Sequence, residues 1–213
     1  MTLLFLVLLL LITFTHALPY CHKSSKLTQY WIPKEGEQDM RNDGTSIRLG
    51  GSKTKKLLTS NGDIIAKVSE STFEKFQMEG TGLLRSGTMV NLGTDINSFI
   101  KLDRTTAPYG LGTSHGLVPW VSVASNDIKK GSLLYIKELD GLKLPNRKIH
   151  NGCVRVDDRG WSLTGCHIDF FVLQYKSYKT LAATIPNHVT IKISKTCIIQ
   201  DYVTDSVKKW AIL

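Results

Sequence analysis

Between residues 154 and 172 the chain alternates apolar and polar side chains with the period of a half-buried strand. Val154, Val156 and Asp158 fall on one face of the first run, Arg155 and Asp157 on the other. Gly160 and Gly165 bracket a tight connection. In the run that follows, His167 and Asp169 share one face, Ile168 and Phe170 the opposite one. The pattern predicts two strands able to lie side by side, with Asp158 and Asp169 carried at their ends. An acid held against Ile168, Phe170 and Phe171 has its charged form disfavoured and keeps its proton to higher pH. That is the requirement for a general acid near neutrality.

The rest of the chain is also mainly β in pattern. Strands are predicted over 26–31, 118–124 and 128–136, and a closing strand over Val189-x-Ile191-x-Ile193. Asn61-Gly62-Asp63 marks a turn before Ile64, Ile65 and Val68. Residues 69–77 predict a short helix capped by Ser71, with Phe73 and Phe76 three apart, and 179–183 a helical turn. Residues 35–60, rich in Gly, Lys, Asp and Ser, predict an exposed loop or insertion. Residues 95–116 predict a loop at the edge of a cleft, and 139–147 a hairpin connection. The tail from Asp201 is polar, with Trp210 and Leu213 available to dock it.

The first 17 residues are an uncharged run of Leu, Ile, Phe and Val closed by Thr15-His16-Ala17, the pattern of a secretory signal peptide. It lacks the usual basic start and is short for a membrane span. The expectation is export, a single domain over 18–213 acting as a secreted monomer, and no membrane anchor after signal removal. The four cysteines, Cys21, Cys153, Cys166 and Cys197, all follow the cut. An even count behind a signal predicts two disulfides. No pair has the short spacing of a zinc site, so no metal is expected. Three pairings are possible; Cys153–Cys166 with Cys21–Cys197 is the preferred one, tying the two motif strands together and joining the chain ends. The formal charge of +9 lies wholly outside the leader. It serves solubility or attraction to an anionic surface such as a cell wall. No nucleic-acid recognition motif accompanies it, and no cofactor motif is visible.

The spacing Asp158-x-Gly160-x4-Gly165-x-His167-Ile168-Asp169 resembles the signature of the Asp-Asp-Asp (3D) domain, found in the barrel of the lytic transglycosylase A family and in secreted bacterial wall proteins. His167-Ile168-Asp169 also resembles the His-Phe-Asp triplet of expansins and family 45 endoglucanases. The resemblance implies a six-stranded double-psi β-barrel with loop insertions and one or two short helices. Ser122-Val123-Ala124-Ser125 followed by Gly131-Ser132 is similar to the family's segment around its first signature aspartate, but this chain has Asn126 there, beside Asp127. An Asn can orient a carboxylate by hydrogen bonding but cannot ionise. The Glu79-Gly80-Thr81-Gly82 segment and the Thr28-x-Tyr30 strand are similar to family segments as well.

By this resemblance Asp169 is the catalytic acid of a secreted enzyme that cleaves a wall polysaccharide, as a lytic transglycosylase or a glycosidase. It protonates the glycosidic oxygen and then accepts the proton of the sugar's C6 hydroxyl, leaving a 1,6-anhydro end. Asp158 is the candidate partner carboxylate, and Asp157 a structural acid. His167 is placed to orient or tune Asp169. Glu79 stands beside glycine, as a ligand contact or a surface turn residue. Tyr30 is a groove or core aromatic, Trp161 a sugar platform or a plug at the barrel mouth, and His150 a structural or substrate-binding histidine. The alternative function is an expansin-like protein that binds or loosens wall polysaccharide without cleaving it, favoured by Asn126 and by the altered 161–164 turn.

Overall fold

The computed structural model describes residues 24–113 and 115–213. The expected leader and Cys21 lie outside the described residues. The chain enters a barrel with β1 (Ser25–Tyr30) and leaves it for an insertion: β2 (Gln38–Met40), β3 (Ser46–Arg48), β4 (Lys55–Leu58), β5 (Ile64–Val68), helix α1 (Glu70–Glu79), β6 (Thr81–Leu83), β7 (Met89–Leu92) and β8 (Phe99–Lys101). It returns with β9 (Ser122–Ala124), β10 (Leu133–Lys143), β11 (Ile149–Asp158), β12 (Ile168–Phe171), helix α2 (Tyr175–Leu181), β13 (His188–Val189) and β14 (Ile191–Ile193), and ends in helix α3 (Asp205–Ala211).

The barrel sheet runs β13–β1–β12–β9–β11–β10–β14, seven strands where the resemblance implies six. Its two edge strands follow each other in the chain, separated only by Thr190. Thr190 is itself tied to β10: its carbonyl accepts from the Lys137 N–H at 3.2 Å, and its N–H and hydroxyl donate to the Glu138 carboxylate at 2.8 and 2.9 Å. The edges therefore meet at a short seam and the barrel is nearly closed, which leaves little unpaired strand edge. Its interior is the main apolar core, including Leu27, Val123, Leu134, Val154, Val156, Ile168 and Phe170, all nearly inaccessible to solvent.

Several elements differ from their sequence pattern. The strand expected over 118–124 keeps only its last three residues, because Trp120 adopts φ 58° and Ser122 N–H turns back to the Val118 carbonyl. The connection expected over 139–147 is mostly strand, and the turn shrinks to Leu144–Lys148, closed by a 2.9 Å bond from Leu144 N–H to the Lys148 carbonyl. The stretch 35–60 is not an exposed loop. It holds β2, β3 and β4 and buries Asp39, Leu49 and Leu57. Leu57, Val68, Phe76, Leu84, Val90 and Phe99 make a second small core in the insertion. The helix expected over 69–77 runs Glu70–Glu79, and Ser69, not Ser71, is its cap, accepting from Thr72 N–H at 3.3 Å. Gly80 ends it in the left-handed region, φ 72°, and a methyl on Gly82 would fall inside the Phe76 ring. The glycines after Glu79 thus serve helix termination and close packing. Trp210 docks the tail against Lys34, whereas Leu213 is exposed. Among the described residues no helix is long and apolar enough to cross a membrane.

The disulfide pairing also differs. Cys153 is bonded to Cys197, which rules out both expected bonds, Cys153–Cys166 and Cys21–Cys197. Cys153 lies on β11 and Cys197 just beyond β14, so the bond spans β10, the strand between them. Cys166 is disulfide-bonded as well.

Candidate functional site

Three neighbouring barrel strands set the site. Asp169 on β12 is paired with Ala124 on β9, and Asp158 on β11 is paired with the same Ala124 from the other side. The two acid-bearing strands are therefore not adjacent, as the alternation suggested; β9 lies between them. Two strand spacings put the aspartate Cα atoms roughly 10 Å apart.

A β-bulge decides which way the acids face. β11 steps from Val156, opposite Val123, to Asp158, opposite Ala124, so Asp157 is one extra residue. Val123 points into the core, so its partners Val156 and Phe170 do too. Ala124, Asp158 and Asp169 share the opposite face, outside the barrel interior. Asp158 is thus not on the face of Val154 and Val156, and Ile168 and Phe170 do not cover Asp169. Asp157 is a structural acid as expected. It is buried, receives the Arg155 guanidinium at 2.5 and 3.1 Å, and accepts from Ser122 Oγ at 2.5 Å.

Asp169 is covered instead by β1 and the insertion. It lines a cavity of about 360 Å³ with Thr28, Tyr30, Trp31, Met40, Glu79 and Tyr178, at the small end of ligand-sized pockets. Thr28 stands directly across from it on β1 and donates its hydroxyl to Asp169 Oδ1 at 2.8 Å. His167 Nε2 lies 2.7 Å from the same hydroxyl oxygen. With that hydroxyl proton given to Asp169, the imidazole must be the donor. His167 therefore reaches Asp169 through Thr28 rather than directly. Burial, opposed by the Thr28 bond and reinforced by the charges of Glu79 and Asp158, pushes the Asp169 carboxyl up to about 7. Burial and nearby Lys26 lower the His167 imidazole, which favours its neutral form.

Asp158 accepts from Arg159 N–H at 2.8 Å and from Thr113 Oγ1 at 3.0 Å, so the 95–116 segment does edge the acids. Burial raises its carboxyl. The Tyr30 hydroxyl is buried in the field of Asp158, Asp169 and Asp157 and makes no well-formed hydrogen bond. Burial and those three negative charges hold its proton firmly, so it acts as a donor.

Glu79 is the last residue of α1 and sits in the cavity wall, paired with Lys75 at 2.6 Å. Lys75 is itself buried, 3.3 Å from Asp39 and over the Trp31 ring at 4.6 Å. The Trp31 indole N–H donates to Asp39 at 3.1 Å. Glu79 is thus a fixed member of the site, not a surface turn residue.

The other sequence candidates scatter. Asn126 does not orient a carboxylate: its amide donates to the Gly160 carbonyl at 2.8 Å, while Asp127 accepts from Cys166 N–H at 3.0 Å. The pair pins both ends of the turn between the two acid strands. Trp161, on that turn, is 85% exposed. It plugs nothing and presents a free flat face.

His150 is not in the cavity. It lies eight residues up β11 from Asp158, inside the barrel, where it is 1% exposed and stacks on Tyr202. Gly152 N–H donates to its Nδ1 at 2.9 Å, so Nε2 carries the proton and donates to the Trp120 carbonyl at 2.8 Å. Burial pulls its value down to about 4. A depressed histidine contributes stability that is full above the unfolded value of about 6.5 and is lost as pH falls toward 4. Acidification from pH 7 to 4 should therefore cost roughly 3 kcal/mol through this ring. Urea unfolding of wild type and His150→Gln at both pH values checks this; the variant should lose most of the difference.

Thr28, Lys75, Asp39 and Thr113 were missed as site residues. Thr28 and Tyr30 had a signal, being polar on one face of a strand, and Lys75–Glu79 had the i,i+4 spacing of a helix ion pair. Asp39, on β2, had none, and Thr113 had only the expectation that 95–116 edges a cleft.

No family model matches the chain, and no curated protein matches it. Its fold is similar to solved lytic transglycosylases. The MltA structure from Neisseria gonorrhoeae superposes with a TM-score of 0.51 at 13% identity, over 85% of this chain and 75% of that one. E. coli MltA with bound chitohexaose gives 0.48 at 14%, over 81% and 72%. The Burkholderia pseudomallei lytic transglycosylase LtgG gives 0.43 at 14%, over 79% and 71%. At this identity the likeness to the Neisseria protein establishes a shared fold.

Proposed function

We propose that the chain is a secreted enzyme that cleaves a cell-wall glycan by lytic transglycosylation, with Asp169 as its acid and base. The observation that carries this is the Asp169 carboxyl, pushed up to about 7 by burial, in a ligand-sized cavity on a barrel whose fold is similar to that of a lytic transglycosylase. Asp169 gives its proton to the glycosidic oxygen as the C1–O bond breaks, and the bonding pair leaves with that oxygen. The sugar's C6 hydroxyl then attacks C1 and returns its proton to the Asp169 carboxylate. The product is a 1,6-anhydro sugar, and no water is consumed. Thr28 stabilises the carboxylate between the two steps, and Tyr30, beside it on β1, lines the cavity that takes the sugar. In the same reading residues 1–17 direct export, the mature chain works as a monomer, and the barrel is of double-psi type. The parallel pairings β1–β12 and β9–β11 within a mixed sheet support that topology.

A second reading, expansin-like binding without cleavage, is favoured by the exposed Trp161. In either reading Trp161→Ala should weaken glycan binding by about 1 kcal/mol, roughly fivefold, through loss of a flat apolar face. Titration calorimetry with a soluble chito-oligosaccharide measures it.

Mass spectrometry of the products from peptidoglycan, chitin and cellulose separates the readings. Anhydro ends made by wild type and not by Asp169→Asn support the proposal. Reducing ends alone indicate hydrolysis. Binding with no product leaves the expansin-like reading.

A further inference from the structure

Two partly buried carboxylates, Asp169 and Glu79, line this cavity, and among the described residues Glu79 alone of the two forms an ion pair. Asp169 accepts from Thr28 on β1, with His167 behind that hydroxyl; Glu79, at the end of α1, and Tyr30, on β1, line the same cavity, and the Tyr30 hydroxyl lies in the field of Asp158 and Asp169. Glu79 is held by Lys75 at 2.6 Å, and Lys75 is pinned by Asp39 at 3.3 Å and the Trp31 ring. One cation among three carboxylates, Asp39, Glu79 and Asp169, leaves the group with a net negative charge when they are ionised. Burial raises the Glu79 carboxyl, and the charge and hydrogen bond of Lys75 oppose that rise.

We propose that Glu79, held by Lys75, is a positioning carboxylate for Asp169: its fixed charge keeps the proton on Asp169 before the bond breaks and draws one back afterwards. This rests on the reading of Asp169 as the acid. Once Asp169 has given up its proton, two carboxylates share one cavity, and their like charges repel. In this reading the proton that relieves the repulsion comes from the C6 hydroxyl of the sugar. Glu79 thereby strengthens Asp169 as the base that the anhydro-forming step needs. It does not touch the reacting bond, and Lys75 opposes the rise that burial imposes on its carboxyl.

Carboxyl carbon NMR titration of the whole chain, labelled with 13C at Asp and Glu, tests this without requiring cleavage. In wild type, the Asp169 and Glu79 curves should each show an inflection at the other's midpoint. In Glu79→Gln, which still accepts from Lys75, the Asp169 midpoint should move about one unit to lower pH. Glu79→Asp should restore it at least in part. Independent single-step curves in wild type, or an unmoved Asp169 midpoint in a folded Glu79→Gln, would overturn the proposal. In a chain that cleaves, the high-pH limb of the rate profile should move with that midpoint. Coupling without any product would retire the enzymatic reading while leaving the electrostatic pair intact.

Discussion

Asp169→Asn is expected to lower glycan cleavage by about 10²–10⁴-fold, the range for losing a general acid, and to stabilise the fold at alkaline pH. The two effects share one cause. Asp169 titrates near 7 in the folded chain and near 3.9 when unfolded. For a group raised by folding, the favourable contribution is complete below the unfolded value and is lost as pH rises through the folded one. At pH 8 the buried carboxylate therefore costs the fold up to roughly 4 kcal/mol, less to the extent that water reaches it. Asn removes the charge yet still accepts from Thr28. Urea unfolding at pH 8 and pH 4 should show the variant more stable at the first and nearly equal at the second. Wild-type cleavage should fall about tenfold per unit above pH 7 as the acid form is depleted. Equal stability at both pH values would mean that Asp169 is not perturbed and cannot be the acid.

The second large effect concerns the barrel seam. The Cys153–Cys197 bond closes a loop with a sequence separation of 44. Constraint of the unfolded chain by a loop of that length contributes about 4 kcal/mol. Replacing both cysteines by Ala should lower the melting temperature by roughly 10 °C for a chain of this size. The bond spans β10 and reaches the segment after β14, so what it holds is the closure of the sheet on itself. The acids sit on β11 and β12 at other positions, so cleavage at 25 °C should persist. Calorimetry with a parallel activity assay measures both. A fall of only one or two degrees would show that Thr190 and its bonds to β10 hold the seam unaided.

The acids, their strands and the barrel class were legible in the sequence, because alternation and turn residues are local. What escaped was set at long range or by a single irregularity. Ser122–Ala124 intervenes between the two acid strands through one parallel and one antiparallel pairing, and nothing nearby in the chain announces that. The role of Asn126 was misread because the carbonyl it binds belongs to Gly160, 34 residues on. The cysteine pairing was expected to tie the two motif strands together and to join the chain ends, whereas the sheet order brings Cys197 over β10 to Cys153. Residues 35–60 looked solvated because their apolar residues are few, yet Leu49 and Leu57 are completely buried. The Lys75–Glu79 spacing was present in plain view. Its meaning depended on Asp39 and Trp31, which arrive from another element.

The bulge at Asp157 has a consequence for how such a barrel changes over descent. β11 carries one more residue than β9 requires, and that residue is Asp157. Deleting Asp157 would restore strict alternation and leave Asp158 directly after Val156, still opposite Ala124 and outward. What would go is the buried acid that holds Arg155 and Ser122. One inserted residue thus gives the strand an internal anchor for its neighbours without moving either outward aspartate.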